Sequence, residues 1–472
     1  DQKTYTLRSN IDINVTPTTK LAIRLTGNFT DYRGPLDGGN KVYVDVVHSD
    51  PVLFPAYYPM DDEHIGIKHI MFGNYDQGQY TNPYANMVKG YRDYQRSQMI
   101  AAVEVNQNLD FITKGLSAMT LFNLTRLSDF SVNRQFSPYW YTLNTYDSYT
   151  GEYHLARIND DGTDYLTYNE GNKTVQNTLY SETRLNYARD FGRSEVTGLL
   201  VLTAYESRIA NAGSLQLSLP SRNAGLSGRF TYGWDKRYFT EFNFGYNGSE
   251  RFHKSHRWGF FPSAGAAWVM SNEPWFKSLK KTVDNLKFRV SYGLVGNDKI
   301  GSEKNRFYYL SEMNMESKNL AASFGELRGH TYKGIDVVRY ANEAITWERS
   351  YKTNYAVELG LFDNFDLIAE YFTERRKDIF MTRADVPETM GLQAGISANI
   401  GEARAHGVDL QAEYQKVWNK DFWTSARANF TWSTGKYDVY EEPTYPEKYR
   451  QHAGYSIKQT WGYIAERLFI DD

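Results

Sequence analysis

The residues best suited to recognition chemistry are aromatic rings set among short polar side chains. Pro138-Tyr139-Trp140-Tyr141 is followed by Tyr146, Tyr149 and Tyr153, with Asn, Asp, Ser and Thr between them. Ring faces stack on the apolar faces of sugars while amides and hydroxyls bond the sugar hydroxyls, so this run suits a glycan. Tyr57-Tyr58, near two prolines, forms a second and smaller cluster. The same rings would also serve to pack long loops on one another, or on a partner, because large loops need a core of their own.

Other constellations offer less. Asn159-Asp-Asp-Gly-Thr-Asp164 spaces carboxylates around a glycine as a calcium loop does, but lacks the later bidentate acid and reads as turn chemistry. His253 and His256 have the spacing of a zinc pair without a third ligand nearby. Asp61-Asp62-Glu63-His64 reads as a solvated charge run. Cysteine is absent, which removes disulfides, thiolate metal sites and thiol nucleophiles together. No nucleophile elbow, Walker loop or HExxH motif occurs, so neither an enzyme nor a cofactor is expected. A net charge of −3 advertises no nucleic-acid surface.

The elements that must position these rings have a period of two. Tyr5, Leu7, Ile11, Ile13 and Val15 fall on one face of the first segment, with Thr6, Arg8, Asn10, Asp12 and Asn14 on the other. The alternation returns in Leu21–Phe29, Leu226–Trp234, Tyr238–Asn247, Tyr351–Leu361 and Phe422–Trp432. About fourteen strands result, with a further one expected near Ile457–Tyr463 and a helical insert at Glu273–Lys287. Short links alternate with long ones at 33–90, 128–174, 297–345 and 373–404. A meander with its long loops at one end is the pattern of a transmembrane β-barrel.

Strand length agrees. Eleven residues span roughly 36 Å, which at a tilt of ~40° crosses about 28 Å of hydrocarbon. Rings gather at strand ends, among them Tyr5, Phe29, Trp234, Tyr238, Tyr246, Trp423 and Trp432, as an interfacial girdle would require. No apolar run is long enough for a membrane helix; the longest is Gly198–Tyr205. The fold class is therefore all-β, a large antiparallel transmembrane barrel with an apolar outside and a polar lumen.

With the strands placed, several segments resemble the SusC/RagA family of TonB-dependent outer-membrane transporters. The Phe261-Pro-Ser263…Trp268…Glu273-Pro-Trp275 block carries the resemblance, with Leu286–Asp298, Ile345–Leu361, Arg376–Phe380 and Asn399–Tyr414. Ala405-His406-Gly407 stands where the family usually has Asn-x-Gly. The resemblance implies a plug domain followed by a barrel of about 22 strands. Residues 1–472 then read as an internal barrel portion lacking the plug, TonB-contacting segment and final strand.

The resemblance also implies location in the bacterial outer membrane and energised import of a bulky nutrient. TonB would act through the plug, and a SusD-like lipoprotein would cap the outer mouth. The ligand expected is an oligosaccharide, with an oligopeptide as the alternative. The candidate ligand-contacting residues are Tyr139, Trp140, Tyr141, Tyr149, Tyr57 and Tyr58. Arg8, Arg24, Arg229 and Lys352 on the lumen face would meet the plug, an anionic ligand, or carboxylates such as Asp12 and Glu241. The rival classes are a secreted soluble glycan-binding β-protein and a passive porin.

Overall fold

The computed structural model describes residues 1–302 and 305–468. In chain order the strands are β1 (Gln2–Thr16), β2 (Thr19–Gly34), β3 (Phe72–Gly73), β4 (Gly90–Asn108), β5 (Leu116–Gln135), β6 (Trp140–Tyr146) and β7 (Tyr153–Arg157). They continue as β8 (Thr167–Phe191), β9 (Ser194–Ile209), β10 (Ser221–Trp234), β11 (Tyr238–Ser249), β12 (Trp258–Val269) and β13 (Val283–Asn297). The last are β14 (Glu312–Phe324), β15 (His330–Arg339), β16 (Glu348–Leu361), β17 (Phe365–Thr382), β18 (Ser397–Val417) and β19 (Trp423–Val439). Fourteen of these form one antiparallel sheet in chain order, omitting only β3, β6, β7, β14 and β15, which lie within long loops. This is the meander that the alternation predicts.

The two ends of the sheet differ as expected. One end closes in tight turns. At 362–363 both central residues adopt positive φ, and Asn364 donates its N–H to the Leu361 carbonyl at 3.1 Å. That backbone matches the right-handed strand twist. The other end carries the segments 35–89, 136–166, 298–347 and 383–396. The second and last of these are shorter than the sequence suggests, because β5, β8, β17 and β18 run well beyond the apolar belt as polar strands. The segments hold their own elements, including α1 (Gly38–His48) and α2 (Pro83–Val88).

Two expectations fail. The Glu273–Lys287 insert forms 3₁₀ turns at Met270–Asn272 and Pro274–Ser278, and then strand from Val283. Leu286 and Phe288 are claimed by pairing with Leu359 and Val357, which overrides the local helical periodicity. The strand near Ile457–Tyr463 does not form either. Gly454, at φ +86°, turns the chain, and only isolated bridges join Ser456 and Ala453 to β19.

Register aligns the apolar positions into rows across the whole sheet. Ile11 pairs with Ile23, Ile23 with Val103, and Val103 with Phe122. Farther along, Val290 pairs with Tyr355, Tyr355 with Tyr371, Tyr371 with Val408 and Val408 with Trp432. This face is open: Phe122 is 47% exposed, Tyr355 53% and Phe430 58%. The buried apolar clusters, Met71–Tyr141–Leu155 and Phe252–Ile300–Ile345–Trp347, lie in or beside the long segments rather than beneath the sheet. A soluble sandwich would bury this face on a second sheet. An apolar face this large and this open meets lipid.

Neighbouring residues on β1 provide a direct check of that orientation. Cysteine at Ile11 is expected to react with a lipid-confined label, and cysteine at Asp12 with an aqueous one. Equal aqueous labelling at the two positions would reverse the assignment.

Candidate functional site

Two features stand out, one along the sheet and one at its long-loop end. The first is the polar face of the sheet, which is tied together by ion pairs. Arg289 reaches Glu358 and Glu370, each at 2.6 Å, while Lys287 lies 3.3 Å from Glu358. Arg376 binds Glu374 at 2.7 Å, with Lys352 at 4.0 Å from the same carboxylate. Arg229 pairs with Glu241 at 2.7 Å, and Arg24 with Asp12. Three of the lumen cations singled out from sequence therefore sit beside carboxylates of the same wall. Fixed and paired charges give this face polar docking groups without a large net field.

The second feature is a folded unit made by the first two long segments. Residues 35–89 supply β3, and residues 136–166 supply β6 and β7, which join β3 in a separate three-stranded sheet. Beside that sheet, Tyr141 is 1% exposed and packs with Met71 and Leu155. Its hydroxyl lies 2.9 Å from His69 Nε2, and the His69 ring stacks on Tyr139 with centroids 4.1 Å apart. Burial lowers the His69 pKa and raises that of the Tyr141 phenol, so this contact joins neutral groups.

The candidate rings have different fates. Tyr141 presents no face to solvent. Tyr58 is half-buried at the edge of the same core, and burial raises its phenol pKa. Tyr139 and Trp140 are half-buried: Tyr139 is stacked on His69, with Gly162 packed against its ring and Arg157 5.7 Å over it, and Trp140 meets Phe72 with centroids 6.1 Å apart. Tyr57 is 54% exposed and lies 5.6 Å from the ring of Tyr84. Tyr149 stands alone at a turn tip, almost fully exposed. The structure thus brings Tyr58, Tyr139 and Tyr141 into one cluster and leaves Tyr149 outside it.

The acidic motifs prove structural. Asp61 is buried, which corrects its reading as part of a solvated run; Asp62 and Glu63 remain exposed. Its carboxylate caps the turn at Asp62–His64, accepting the His64 N–H at 2.9 Å and the Leu155 N–H at 3.2 Å. Burial opposes the charge, but the His64 side chain and these N–H donors hold the Asp61 pKa below its ordinary value. Asn159 accepts the Trp140 N–H at 2.7 Å, fixing the backbone under that ring. His253 bonds Ser255 at 2.8 Å.

Residues 9–462 match the family model described as TonB dependent receptor-like, beta-barrel. The chain belongs to that family. It is an outer-membrane β-barrel protein. It is similar to TonB-dependent receptor P3 of Formosa agariphila, with 26% identity over 92% of this chain and 42% of the relative. It is also similar to TonB-dependent receptor SusC of Bacteroides thetaiotaomicron, with 28% identity over 46% of this chain and 21% of the relative. The chain thus spans less than half the length of these curated relatives. Among solved structures, the RagAB peptide importer in its closed-closed state shares the fold: TM-score 0.64, 18% identity, covering 92% of this chain and 47% of that one. These relatives are receptors and transporters, not enzymes.

The sequence block that carries the family resemblance has a visible job at the short-turn end. Glu273 is buried and accepts from the Tyr238 hydroxyl at 2.6 Å and the Trp268 indole N–H at 3.1 Å, and it pairs with Arg237 at 2.8 Å. Arg237 in turn lies 4.7 Å over the Trp234 ring. One carboxylate thereby fixes three rings of the interfacial girdle, which nothing in the alternation alone would reveal.

Proposed function

We propose that this chain supplies the barrel wall, the lumen and the outer loops of a transporter that imports a bulky nutrient under the action of TonB. Residues 1–472 then act as one barrel portion, with the segments 35–89, 136–166, 298–347 and 383–396 outside the cell. One observation carries this reading: an ion-paired polar face lies inside an apolar wall, and its outer mouth bears a ring-rich folded unit. The ligand is an oligosaccharide. Trp140 and Tyr57 offer it half-open or open ring faces among amides and hydroxyls, with Tyr139 supporting them from within the cluster, whereas a pocket for apolar peptide side chains would call for Leu, Ile and Met. An oligopeptide is the second reading, because the RagAB importer that shares this fold is named for peptide.

Trp140→Ala tests the choice. Loss of a stacking ring removes on the order of 1–3 kcal/mol, so oligosaccharide affinity is expected to fall by at least ~5-fold with assembly unchanged. Titration calorimetry with a panel of oligosaccharides would read this. Unchanged affinity would assign Trp140 to loop packing and leave peptide as the better candidate.

A SusD-like lipoprotein covers the outer mouth in the same reading, resting on the first loop unit. Helix α1 leaves Tyr43 and Val47 open, 71% and 62% exposed and one helical turn apart. Removing the whole of 39–87 would also strip β3 from β6 and uncover Tyr141. The sharper variant is Tyr43→Glu with Val47→Glu, which charges the surface without touching that core. Co-purification of the cap is expected to fall roughly 10-fold or more, the size of a lost apolar hot spot. Full recovery of the cap would place its contacts elsewhere.

A further inference from the structure

The lipid-facing wall is not flat. Near its periplasmic margin a groove of about 680 Å³ crosses the strands from β11 to β18. Register explains its shape. One row runs Trp268, Phe288, Val357, Ala369, and the neighbouring row runs Ala266, Val290, Tyr355, Tyr371. Rings therefore stand at opposite corners and small residues at the other two, leaving a diagonal trough with apolar walls. The trough is also held open. Trp268 is fixed by Glu273, and its ring lies 6.2 Å from that of Phe288. Beside it, the turn 270–282 exposes Trp275 and three lysines, Lys277, Lys280 and Lys281. Among the described residues none of these lysines is in an ion pair.

We propose that this groove binds an acyl chain of an inner-leaflet phospholipid, whose phosphate is taken by the lysines of the adjoining turn. The trough is continuous with the belt that already meets lipid, so an acyl chain is the apolar group that reaches it. Unpaired cations at a membrane interface complement an anionic headgroup, and the indole of Trp275 suits the headgroup level. A rigid trough also gives a fixed surface for a flexible chain, which raises retention above that of bulk annular lipid. This inference rests on the wall alone and is independent of the nutrient imported.

The test uses the protein extracted in detergent and incubated with phosphatidylglycerol or phosphatidylcholine, followed by detergent exchange and native mass spectrometry. The expected result is one retained phosphatidylglycerol per protein. Ala266→Phe and Ala369→Phe fill the trough with apolar bulk; displacing two methylenes lowers retention by roughly 10-fold. Ala101→Phe, on the same face of β4, leaves retention unchanged. Changing Lys277, Lys280 and Lys281 together to Ala, in an exposed turn that keeps assembly intact, equalises the two lipids. Equal retention in the filled and control variants would overturn the proposal. So would equal retention of both lipids by the unaltered protein, or a retained mass belonging to lipopolysaccharide.

Discussion

Replacing Tyr141 by alanine is expected to loosen the outer loop unit by about 3–5 kcal/mol, the usual cost of deleting a buried large ring. Its side chain fills the space between Met71 and Leu155. Its backbone holds the two segments together as well, since Asn74 donates its N–H to the Tyr141 carbonyl at 2.9 Å and Gly73 pairs with Tyr141 in the parallel bridge of β3 and β6. The ring also supplies the hydroxyl to which His69 is bonded, so its loss leaves the half-buried imidazole without that partner. Tyr141→Phe removes only the hydroxyl and is expected to cost about 1 kcal/mol. Limited proteolysis on intact cells would read the difference. Cleavage within 35–89 and 136–166 should rise sharply for Tyr141→Ala and little for Tyr141→Phe, while the heat-modifiable gel mobility of the barrel stays normal in both. Equal protease resistance in all three proteins would show that the unit does not depend on this ring.

The barrel was legible because lipid and lumen impose opposite demands on successive residues. Ile11, Ile23 and Val103 repeat at period two, and register then stacks them without further information. The loop unit was not legible in this way. Phe72-Gly73 forms a strand of two residues with no alternation of its own; it exists because β6 lies alongside it and because Gly73 lets the Pro55 carbonyl approach where a Cβ would stand 2.0 Å away. The ring cluster was visible in the sequence, but which rings are buried depends on that long-range pairing. Tyr141 and Trp140 are adjacent in the chain and point to opposite sides of β6, so one becomes core and the other keeps an open edge. Asp61 shows the same limit. In sequence it heads a run of charges, and only the cap at His64 and the distant N–H of Leu155 explain why it is buried. The Glu273-Pro-Trp275 motif is conspicuous, but the helical periodicity that follows it does not become a helix, because pairing of the stretch from Val283 with β16 outweighs it.

Glu273 is expected to make the barrel sensitive to acid. Its carboxyl is held below its ordinary value of 4.5, chiefly by the Tyr238 hydroxyl, with Trp268 and Arg237 adding and burial opposing. A group whose pKa is depressed on folding contributes stability that is full above its unfolded value and is lost as pH falls through the folded one. Protonation therefore removes the counter-charge from Arg237 and weakens the two ring hydrogen bonds, which become bonds to a neutral carbonyl oxygen, over the interval beginning near pH 4.5 and extending downward. In Glu273→Gln the size and one acceptor remain, but the charge does not. This variant should be less heat-resistant than the unaltered protein at pH 7, and its melting temperature should fall less between pH 5 and pH 3. Glu273→Ala, which also removes the acceptor for Tyr238 and Trp268, is expected to have the lowest melting temperature of the three at neutral pH. Heat-modifiable mobility after incubation across a temperature series at each pH would give the curves. Parallel acid profiles for the unaltered protein and Glu273→Gln would assign the acid sensitivity to other carboxylates, with Asp61 in the outer loop unit the first to test because its charge is also held by neighbouring donors.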